Sequence, residues 1–176
     1  MQQFQMLFPG GKAKALTLSY DDGVEQDLHL IELMKQHGVK GTFNLNSSLF
    51  APEGTVYPAG QIHRRMSRAQ CREAYDNEYC EVALHGATHS FLQAQPTALA
   101  MHEIITDRRQ MEEMYGRTIR GMAYPYGTYS DSVVDILRLA GVAYWINQHY
   151  GFKGDELVMK GDDAVIELKN RIDAIY

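Results

Sequence analysis

The sequence predicts an α/β fold built on a parallel sheet. Two observations carry this prediction. Apolar, strand-like runs alternate with helix-like segments along the chain, and three polar clusters, residues 21–23, 85–89 and 124–127, each follow a predicted strand directly. Because the carboxyl ends of parallel strands lie at one edge of a sheet, we expect the three clusters to share one rim. The length of 176 residues predicts a single domain, 1–176.

Composition excludes several classes of protein. The chain is 45% hydrophobic and 22% charged, as globular proteins are, and no apolar run approaches the roughly 18 residues of a membrane span. A net charge of -5 argues against a nucleic-acid partner. The first residues lack the pattern of a signal peptide, which predicts a cytoplasmic protein. Cys71 and Cys80 lack CxxC spacing and are expected to be buried thiols.

The first elements predict a β-α-β unit. Residues 13–20 read as a strand that ends at the Asp-Asp-Gly cluster. A helix begins near Val24, with apolar residues at three- and four-residue steps, and ends before Gly38. Residues 42–46 form the second strand, and this order indicates parallel pairing.

A long loop separates this unit from the next helix. Residues 47–66 are rich in Ser, Pro and Gly, and loops of this length in compact domains are usually functional. Ser67 is a predicted N-cap for a helix over 67–75. Residues 80–85 then form the third strand.

The third helix is the longest one predicted. Thr97 is its expected N-cap, and Gly116 marks its end. Four of its residues form an apolar stripe and are expected in the core: Met101, Ile104, Met111 and Met114. Residues 118–124 form the fourth strand, which runs into a Pro-Tyr-Gly turn.

The last described pattern is a helix followed by a strand and a tail. Ser130 is the predicted cap of a helix that ends near Gly141, and residues 142–146 form the fifth strand. Residues 157–160 suggest a short strand, and a last amphipathic helix begins near Asp162.

The polar clusters are weak signals singly and stronger together. Adjacent aspartates are often a turn or a helix cap, an HxxxH pair is often accidental, and Pro-Tyr-Gly is usually only a turn. On one shared rim, two histidines and one carboxylate form the ligand set of a catalytic divalent metal site with an open position for water. The other carboxylate can then take a proton from that water. Residue spacing leaves open which aspartate has which role.

Three ordered motifs resemble those of the polysaccharide deacetylases of the NodB-homology type, carbohydrate esterase family four. LSYDDG (residues 18–23) is similar to the family's TFDDG motif, HGATH (85–89) to its HxxxH motif, and YPYG (124–127) to its R-x-P-Y-G motif. The likeness covers about residues 13–144 and leaves an atypical tail, 145–176.

The resemblance implies a role for each motif residue. Asp21 would be the general base. Asp22, His85 and His89 would bind a divalent metal, which is zinc most often in the family. The backbone N–H of Tyr126 would help to hold the oxyanion.

The resemblance also implies a fold, a reaction and a substrate. The fold would be a distorted (β/α) barrel, shortened or incomplete at the C-terminus, and the reaction would remove an N-acetyl group from an amino sugar of a carbohydrate substrate. Pro125 and Gly127 would shape the third-motif loop, and His63 would lie on the substrate side of the long loop.

Two departures from the family pattern leave alternatives open. Ala123 stands where many members have an arginine that holds the catalytic carboxylate, and Arg120 is three residues away, on the opposite face of a strand. No Leu-x-His motif for a general acid follows residue 145, and His149 is a weak substitute. The chain is therefore a short family member, a truncated one, or part of a homo-oligomer whose other copy completes the barrel.

Three functions are consistent with these residues. The first is a metal-dependent deacetylase, and the second is a catalytically impaired member that binds metal and glycan without turnover. The third is a phosphoesterase, which the absence of further carboxylates for a second metal disfavours.

Overall fold

The computed structural model describes residues 9–11 and 16–146. Its described part contains one sheet of five strands, all parallel and ordered as in the sequence. The strands are β1 (Ser19–Asp21), β2 (Gly41–Leu45), β3 (Cys80–Leu84), β4 (Gly121–Ala123) and β5 (Tyr144–Ile146). The helices are α1 (Gln26–His37), α2 (Arg68–Tyr75), α3 (Thr97–Tyr115) and α4 (Asp131–Leu139). The predicted α/β class and its strand-helix alternation are confirmed.

The first strand is shorter than its sequence pattern predicts. β1 begins at Ser19, and residues 16–18 have no strand assignment, although the Leu18 carbonyl still accepts a 2.8 Å hydrogen bond from the Thr42 amide. β1 is paired with β2 alone in the described sheet, which leaves it fewer ladder hydrogen bonds than an inner strand has.

Two helix ends follow the predicted capping chemistry. Gly38 closes α1 in the left-handed region at φ 64, and the amide of Val39 returns to the Met34 carbonyl at 2.9 Å. Ser67 caps α2, where its hydroxyl accepts from the Gln70 amide while the Gln70 side chain accepts from the Ser67 amide.

Two predictions for α3 are wrong. Pro96 occupies the N-cap position without a side-chain cap, and Thr97 is the first helical residue. Met101 is 43% exposed because the buried stripe of α3 runs along a different face. The residues of that stripe are Ala100, Ile104, Asp107, Met111 and Met114.

The final described helix confirms its predicted cap. The Ser130 hydroxyl accepts from the amide of Val133, and Gly141 after α4 lies at φ 70. The predicted elements over 157–160 and from Asp162 lie outside the described residues.

The core fills the space between the sheet and the helices. Its largest buried side chains include Phe43, Leu45, Tyr75, Leu84, Met111 and Met122. Cys71 and Cys80 are buried and unbridged, as predicted. Among the described residues, no helix has the length and apolar character that a membrane crossing requires.

The parallel sheet brings the three polar clusters to one rim. β1, β3 and β4 end at Asp21, Leu84 and Ala123, and each cluster lies at or just beyond one of these ends. Strand register aligns Leu45 with Leu84, so the segments after β2 and β3 leave the sheet side by side. The shared rim that the sequence predicts is confirmed.

Candidate metal centre

Three side chains from two of the clusters converge at the rim. Asp22, His85 and His89 each offer one ligand atom, and these atoms all lie within 4.8 Å of one another. The set is two imidazoles and one carboxylate, which is the composition of catalytic zinc sites that keep an open position for water. The residues that sequence analysis assigns to the metal are therefore brought together.

The backbone at this rim is strained. Asp22 (φ 76), His89 (φ 55) and Tyr126 (φ 58) are the non-glycine residues with positive φ in the described part of the chain, and each lies in one of the three clusters. Left-handed backbone costs an L-residue about 1–2 kcal/mol and persists where surrounding contacts impose it. The strain is confined to the clusters, so the fold holds these three side chains in orientations that unstrained backbone would not give.

His85 is held in the tautomer that a metal ligand needs. Its side chain is 2% exposed, and Nδ1 lies 2.9 Å from the carbonyl oxygen of Ala123. A carbonyl can only accept, so Nδ1 carries the proton and the lone pair of Nε2 is available to an ion. The buried His85 ring therefore presents an unprotonated nitrogen toward the other candidate ligands, as a metal ligand requires.

His89 and Asp22 have ionisation states that suit metal ligation. Burial and the neighbouring His85 lower the pKa of His89, which favours the neutral imidazole. Burial raises the pKa of Asp22, but the Arg65 guanidinium and the nearby histidines outweigh it and lower the pKa overall. Asp22 is therefore a carboxylate, as a ligand must be.

Arg65 anchors Asp22 and was missed by sequence reasoning. One guanidinium nitrogen donates to the Asp22 carboxylate at 2.6 Å, and another donates to the Asp22 backbone carbonyl at 2.9 Å. The second nitrogen also contacts Oδ1 of Asn46 at 2.9 Å. His63, predicted on the substrate side of the loop, lies 3.1 Å from the other Asp22 oxygen and is 54% exposed. Both residues come from the long loop, 47–66, that joins β2 to α2.

Asp21 lies beside the ligands and has its own anchor. Its Oδ2 is 3.4 Å from Nε2 of His85, and its Oδ1 accepts a 2.8 Å hydrogen bond from the side-chain amide of Asn44. Register pairs these two residues across β1 and β2. Asn44 therefore contacts the carboxylate to which the resemblance assigns the third-motif arginine as a partner, and Ala123, at the position of that arginine, is fully buried. Arg120 precedes β4 and is exposed, so it does not replace that arginine, as predicted.

The third cluster forms a tight turn against His89. Pro125–Gly127 is a single 3₁₀ turn in which Pro125 and Gly127 are buried and Tyr126 is 47% exposed. The Tyr126 ring meets the edge of the His89 ring at 4.5 Å between centroids and stacks on Phe91 at 3.7 Å. The predicted oxyanion loop thus touches a predicted metal ligand.

Polar side chains behind the histidine cluster complete the site and were also missed. The Asn46 amide donates to the carbonyls of His85 and Gly86 at 2.6 and 2.7 Å. Asp107 is fully buried on α3, where burial raises its pKa to about 7 although backbone N–H groups of Ser47 and His85 donate to it. A sequence signal existed, because Asp107 lies in the stripe of α3 that is otherwise apolar, and a buried carboxyl requires partners.

The chain belongs to the polysaccharide deacetylase family, whose model matches residues 9–145. The recognition that the three motifs suggest is therefore confirmed. No curated protein matches the chain.

Solved structures share the fold at low sequence identity. A de-N-acetylase from Aggregatibacter actinomycetemcomitans is 19% identical, with a TM-score of 0.66 over 91% of this chain and 76% of that one. The deacetylase PplD of Streptococcus pyogenes, in complex with acetate, is 18% identical, with a TM-score of 0.63 over 77% of this chain and 55% of that one. These likenesses confirm a barrel fold of the deacetylase type.

The family 4 carbohydrate esterase from Streptomyces lividans, in complex with acetate, has a TM-score of 0.59 and 18% identity over 76% of this chain. The chain covers 62% of that esterase and 55% of PplD, which is less than two thirds of either protein.

Proposed function

We propose that this member of the polysaccharide deacetylase family is a metal-dependent hydrolase that removes N-acetyl groups from an amino sugar of an oligosaccharide or polysaccharide. One observation carries the proposal: Asp22, His85 and His89 offer ligand atoms within 4.8 Å of one another, and Asp21 lies 3.4 Å from His85. Two structures of similar fold, PplD and the Streptomyces lividans esterase, are complexes with acetate, the product that this reaction would release.

The metal would be divalent, and zinc fits the donor set best. Two neutral imidazoles and one carboxylate suit zinc, whereas magnesium and calcium prefer sites of oxygen ligands alone. A bound zinc ion lowers the pKa of its water from about 15.7 to about 7 and polarises a carbonyl.

Asp21 would act as the general base. A base must lie within hydrogen-bond reach of the proton that it takes, and the Asp21 carboxylate lies next to a ligand nitrogen without belonging to the ligand set. The water oxygen adds to the acetyl carbon, the C–N bond breaks, and acetate leaves. The proton that Asp21 takes up is the one that the amine nitrogen of the sugar requires on departure.

The third-motif turn would hold the oxyanion. Tyr126 is in the left-handed conformation at φ 58, which turns its backbone away from the path of the preceding strand. Pro125, with its fixed φ, and Gly127, at φ 66, define this turn. Its backbone N–H would donate to the developing negative charge, an interaction that is stronger in the transition state than in the substrate.

The second candidate is a member that binds metal and glycan without turnover. It is favoured by Ala123 at the position of the family arginine. The hydrogen bond from Asn44 to Asp21 counts against it, because the base has an anchor from another strand. We therefore rank the enzyme first.

The test measures bound metal and acetate release from N-acetylglucosamine oligomers. Asp21→Asn should keep metal and lose turnover, and His85→Ala should lose both. His102→Ala, which changes an exposed histidine on α3, is the matched control and should behave as wild type. Wild-type protein with stoichiometric metal and no acetate from any acetylated sugar would favour the binding protein, and wild-type protein without metal affinity would overturn both.

A further inference from the structure

We propose that α3 is the positioning element for the histidine ligands, through two carboxylates one helical turn apart. Glu103 and Asp107 together hold the histidine loop, defined as residues 85–89, at four hydrogen-bonding points on or beside it. The inference rests on the proposed metal site, since its consequence is the geometry of His85 and His89.

Asp107 ties the histidine loop to the segment after β2. Its Oδ2 accepts from the backbone N–H of His85 at 3.0 Å, and its Oδ1 accepts from the backbone N–H of Ser47 at 2.8 Å. The carboxyl group is fully buried, so no solvent is available to replace either bond. Both bonds lie just beyond the last register pair of β2 and β3. The His85 N–H also donates to the Leu45 carbonyl at 2.9 Å, and the Ser48 N–H donates to the Ala87 carbonyl at 3.0 Å, so Asp107 adds to the backbone bonds that join the two segments there.

Glu103 holds the other end of the same loop. Its two oxygens accept from the backbone N–H and the hydroxyl of Thr88, each at 2.8 Å. Thr88 directly precedes His89, whose backbone is held at φ 55. Because left-handed backbone is unfavourable for histidine, external hydrogen bonds at the preceding residue are needed to keep the ring oriented.

The spacing of Glu103 and Asp107 explains how one helix can hold both ends of the histidine loop. Residues four apart on a helix lie on the same face, one above the other. The histidine loop contains left-handed backbone at Gly86, which has φ 73, and contacts that face of α3 through the amides of His85 and Thr88. One rigid element therefore fixes the residue at the start of the loop and the residue before its last member.

Replacement of the carboxylate by an amide should have different effects at Asp107 and at Glu103. Asp107 faces two backbone N–H donors, so Asp107→Asn necessarily sets an NH₂ donor against one of them and loses that bond. Glu103 faces one N–H and one hydroxyl, and a hydroxyl can also accept. Glu103→Gln therefore retains both bonds after a proton reversal at Thr88, whereas Glu103→Ala loses both.

The experiment measures the dissociation constant of Zn²⁺ from the full chain by competition with a chromophoric chelator, at a temperature where every variant is folded. Changes to residues that hydrogen-bond to metal-ligating residues typically cost 10- to 100-fold in metal affinity. We expect Asp107→Asn to weaken Zn²⁺ binding by at least about 10-fold and Glu103→Ala by about 3- to 10-fold. Glu103→Gln should stay within about 3-fold of wild type.

Two further measurements separate positioning from general destabilisation. Ile104→Val removes one methyl group from a buried side chain of the same helix and changes no hydrogen bond to the loop, so its Zn²⁺ affinity should equal that of wild type. Amide hydrogen exchange in the metal-free protein should increase at Ser47 or at His85, whichever loses its acceptor, in Asp107→Asn and at Thr88 in Glu103→Ala.

The outcomes distinguish this inference from the proposed function. If wild type binds no Zn²⁺ but exchange increases as expected, the metal function fails and the anchoring of the loop stands. If wild type binds Zn²⁺ and Asp107→Asn binds it equally well, the inference is overturned and the metal site stands. Equal losses in Asp107→Asn and Ile104→Val would also overturn it.

Discussion

The site has two halves, the carboxylate half (Asp21 and Asp22) and the histidine half (the histidine loop, residues 85–89), and the side chains that hold them differ in charge. In the carboxylate half, Asp22 accepts a hydrogen bond from the Arg65 guanidinium, and Asp21 accepts one from the Asn44 side-chain amide. In the histidine half, the carboxylates Asp107 and Glu103 accept from the backbone N–H groups of His85 and Thr88, and the Asn46 amide donates to two backbone carbonyls. The carboxylate half is therefore held by hydrogen-bond donors, one of them a cation, whereas backbone N–H groups of the histidine half are held by carboxylates.

The difference follows from what each half must satisfy. A carboxylate is an acceptor and needs donors, and the Arg65 guanidinium provides several in a fixed geometry. The histidine loop instead presents backbone N–H groups beyond the end of a strand, which need acceptors, and its imidazoles must stay neutral to bind metal. The carboxylates of Asp107 and Glu103 supply such acceptors.

The two halves also have one feature in common. Each is followed in the chain by a helix that carries a buried aspartate. Asp27 of α1 accepts from the Val24 amide at 3.3 Å and from the Tyr75 hydroxyl at 2.5 Å, directly behind the Asp-Asp-Gly cluster. Asp107 has the corresponding place behind the histidine loop. Burial raises the pKa of both, to about 6 for Asp27 and about 7 for Asp107.

The largest expected effect comes from removing the cation of the carboxylate half. Arg65→Met removes the guanidinium from a partly buried Asp22 carboxylate and leaves it only the exposed His63 as a side-chain partner on the long loop, which should lower the free energy of unfolding of the metal-free protein by about 3 kcal/mol. Saturating Zn²⁺ should recover part of this loss because the ion also neutralises Asp22. Chemical denaturation with and without Zn²⁺ measures both. Arg65→Lys should be intermediate, and a metal-free Arg65→Met protein as stable as wild type would refute the role of Arg65.

The next effect is a pH dependence that Asp27 imposes on stability. Its folded pKa of about 6 lies above its ordinary value of 3.8, so the folded state prefers the protonated acid. The contribution is fully present below pH 3.8 and is lost as pH rises through 6, by on the order of 3 kcal/mol.

Asp27→Asn keeps an oxygen that can accept from Val24 and Tyr75 and has no charge to bury. The difference in unfolding free energy between this variant and wild type should therefore shift in favour of the variant between pH 4 and pH 7. A difference that stays constant across this range would show that Asp27 does not titrate as described.

A smaller effect tests the hydrogen bond that holds Asp21, the proposed general base. Asn44→Leu removes the donor to Asp21 with little change in volume, and acetate turnover should fall by about 10-fold because one hydrogen bond to a charged group is lost. Zn²⁺ affinity should remain near that of wild type, since Asp21 is outside the ligand set. Steady-state kinetics and metal titration on the same sample measure turnover and Zn²⁺ affinity separately. A loss of metal affinity as large as the loss of turnover would contradict this role of Asn44.

The smallest effect compares two glycines. Gly23 and Gly54 have left-handed backbone at φ 64 and 76, but a Cβ on Gly23 would lie 3.1 Å from Leu45 and 3.3 Å from Cys71, whereas Gly54 is open. Gly54→Ala should cost only backbone strain, about 1 kcal/mol, and Gly23→Ala about 1 kcal/mol more. Thermal unfolding of both variants checks the difference, and equal losses would mean that the carboxylate half is loosely packed.

The candidate metal ligands could be predicted from the sequence, with the choice of Asp22 over Asp21 resting on the family resemblance, but the residues that hydrogen-bond to them could not. Strand-helix alternation sets the rim on which Asp22 and His85 meet, and this pattern is local in sequence. Arg65 lies in an aperiodic loop, and its contact with Asp22 spans 43 residues. No propensity rule describes a pairing of that kind.

The remaining errors in the predicted fold, at Thr97 and Met101, arise where a neighbouring residue has the predicted role instead. Thr97 is a plausible cap, but Pro96 precedes it and, with its ring-fixed φ, occupies the cap position itself. Met101 fits a helical spacing, but Asp107 belongs to the buried stripe and rotates the core face of α3 away from Met101. A stripe chosen by hydrophobicity alone omits the polar residue that the site needs.

The most direct test is a crystal structure of the full chain with Zn²⁺, in which anomalous scattering locates the ion. We predict one ion at about 2.0–2.2 Å from the Asp22 carboxylate and from one nitrogen each of His85 and His89, with Asp21 outside the ligand sphere. An ion bound elsewhere, or one ligated by Asp21 while Asp22 stays with Arg65 alone, would contradict the division of roles on which the proposed chemistry depends.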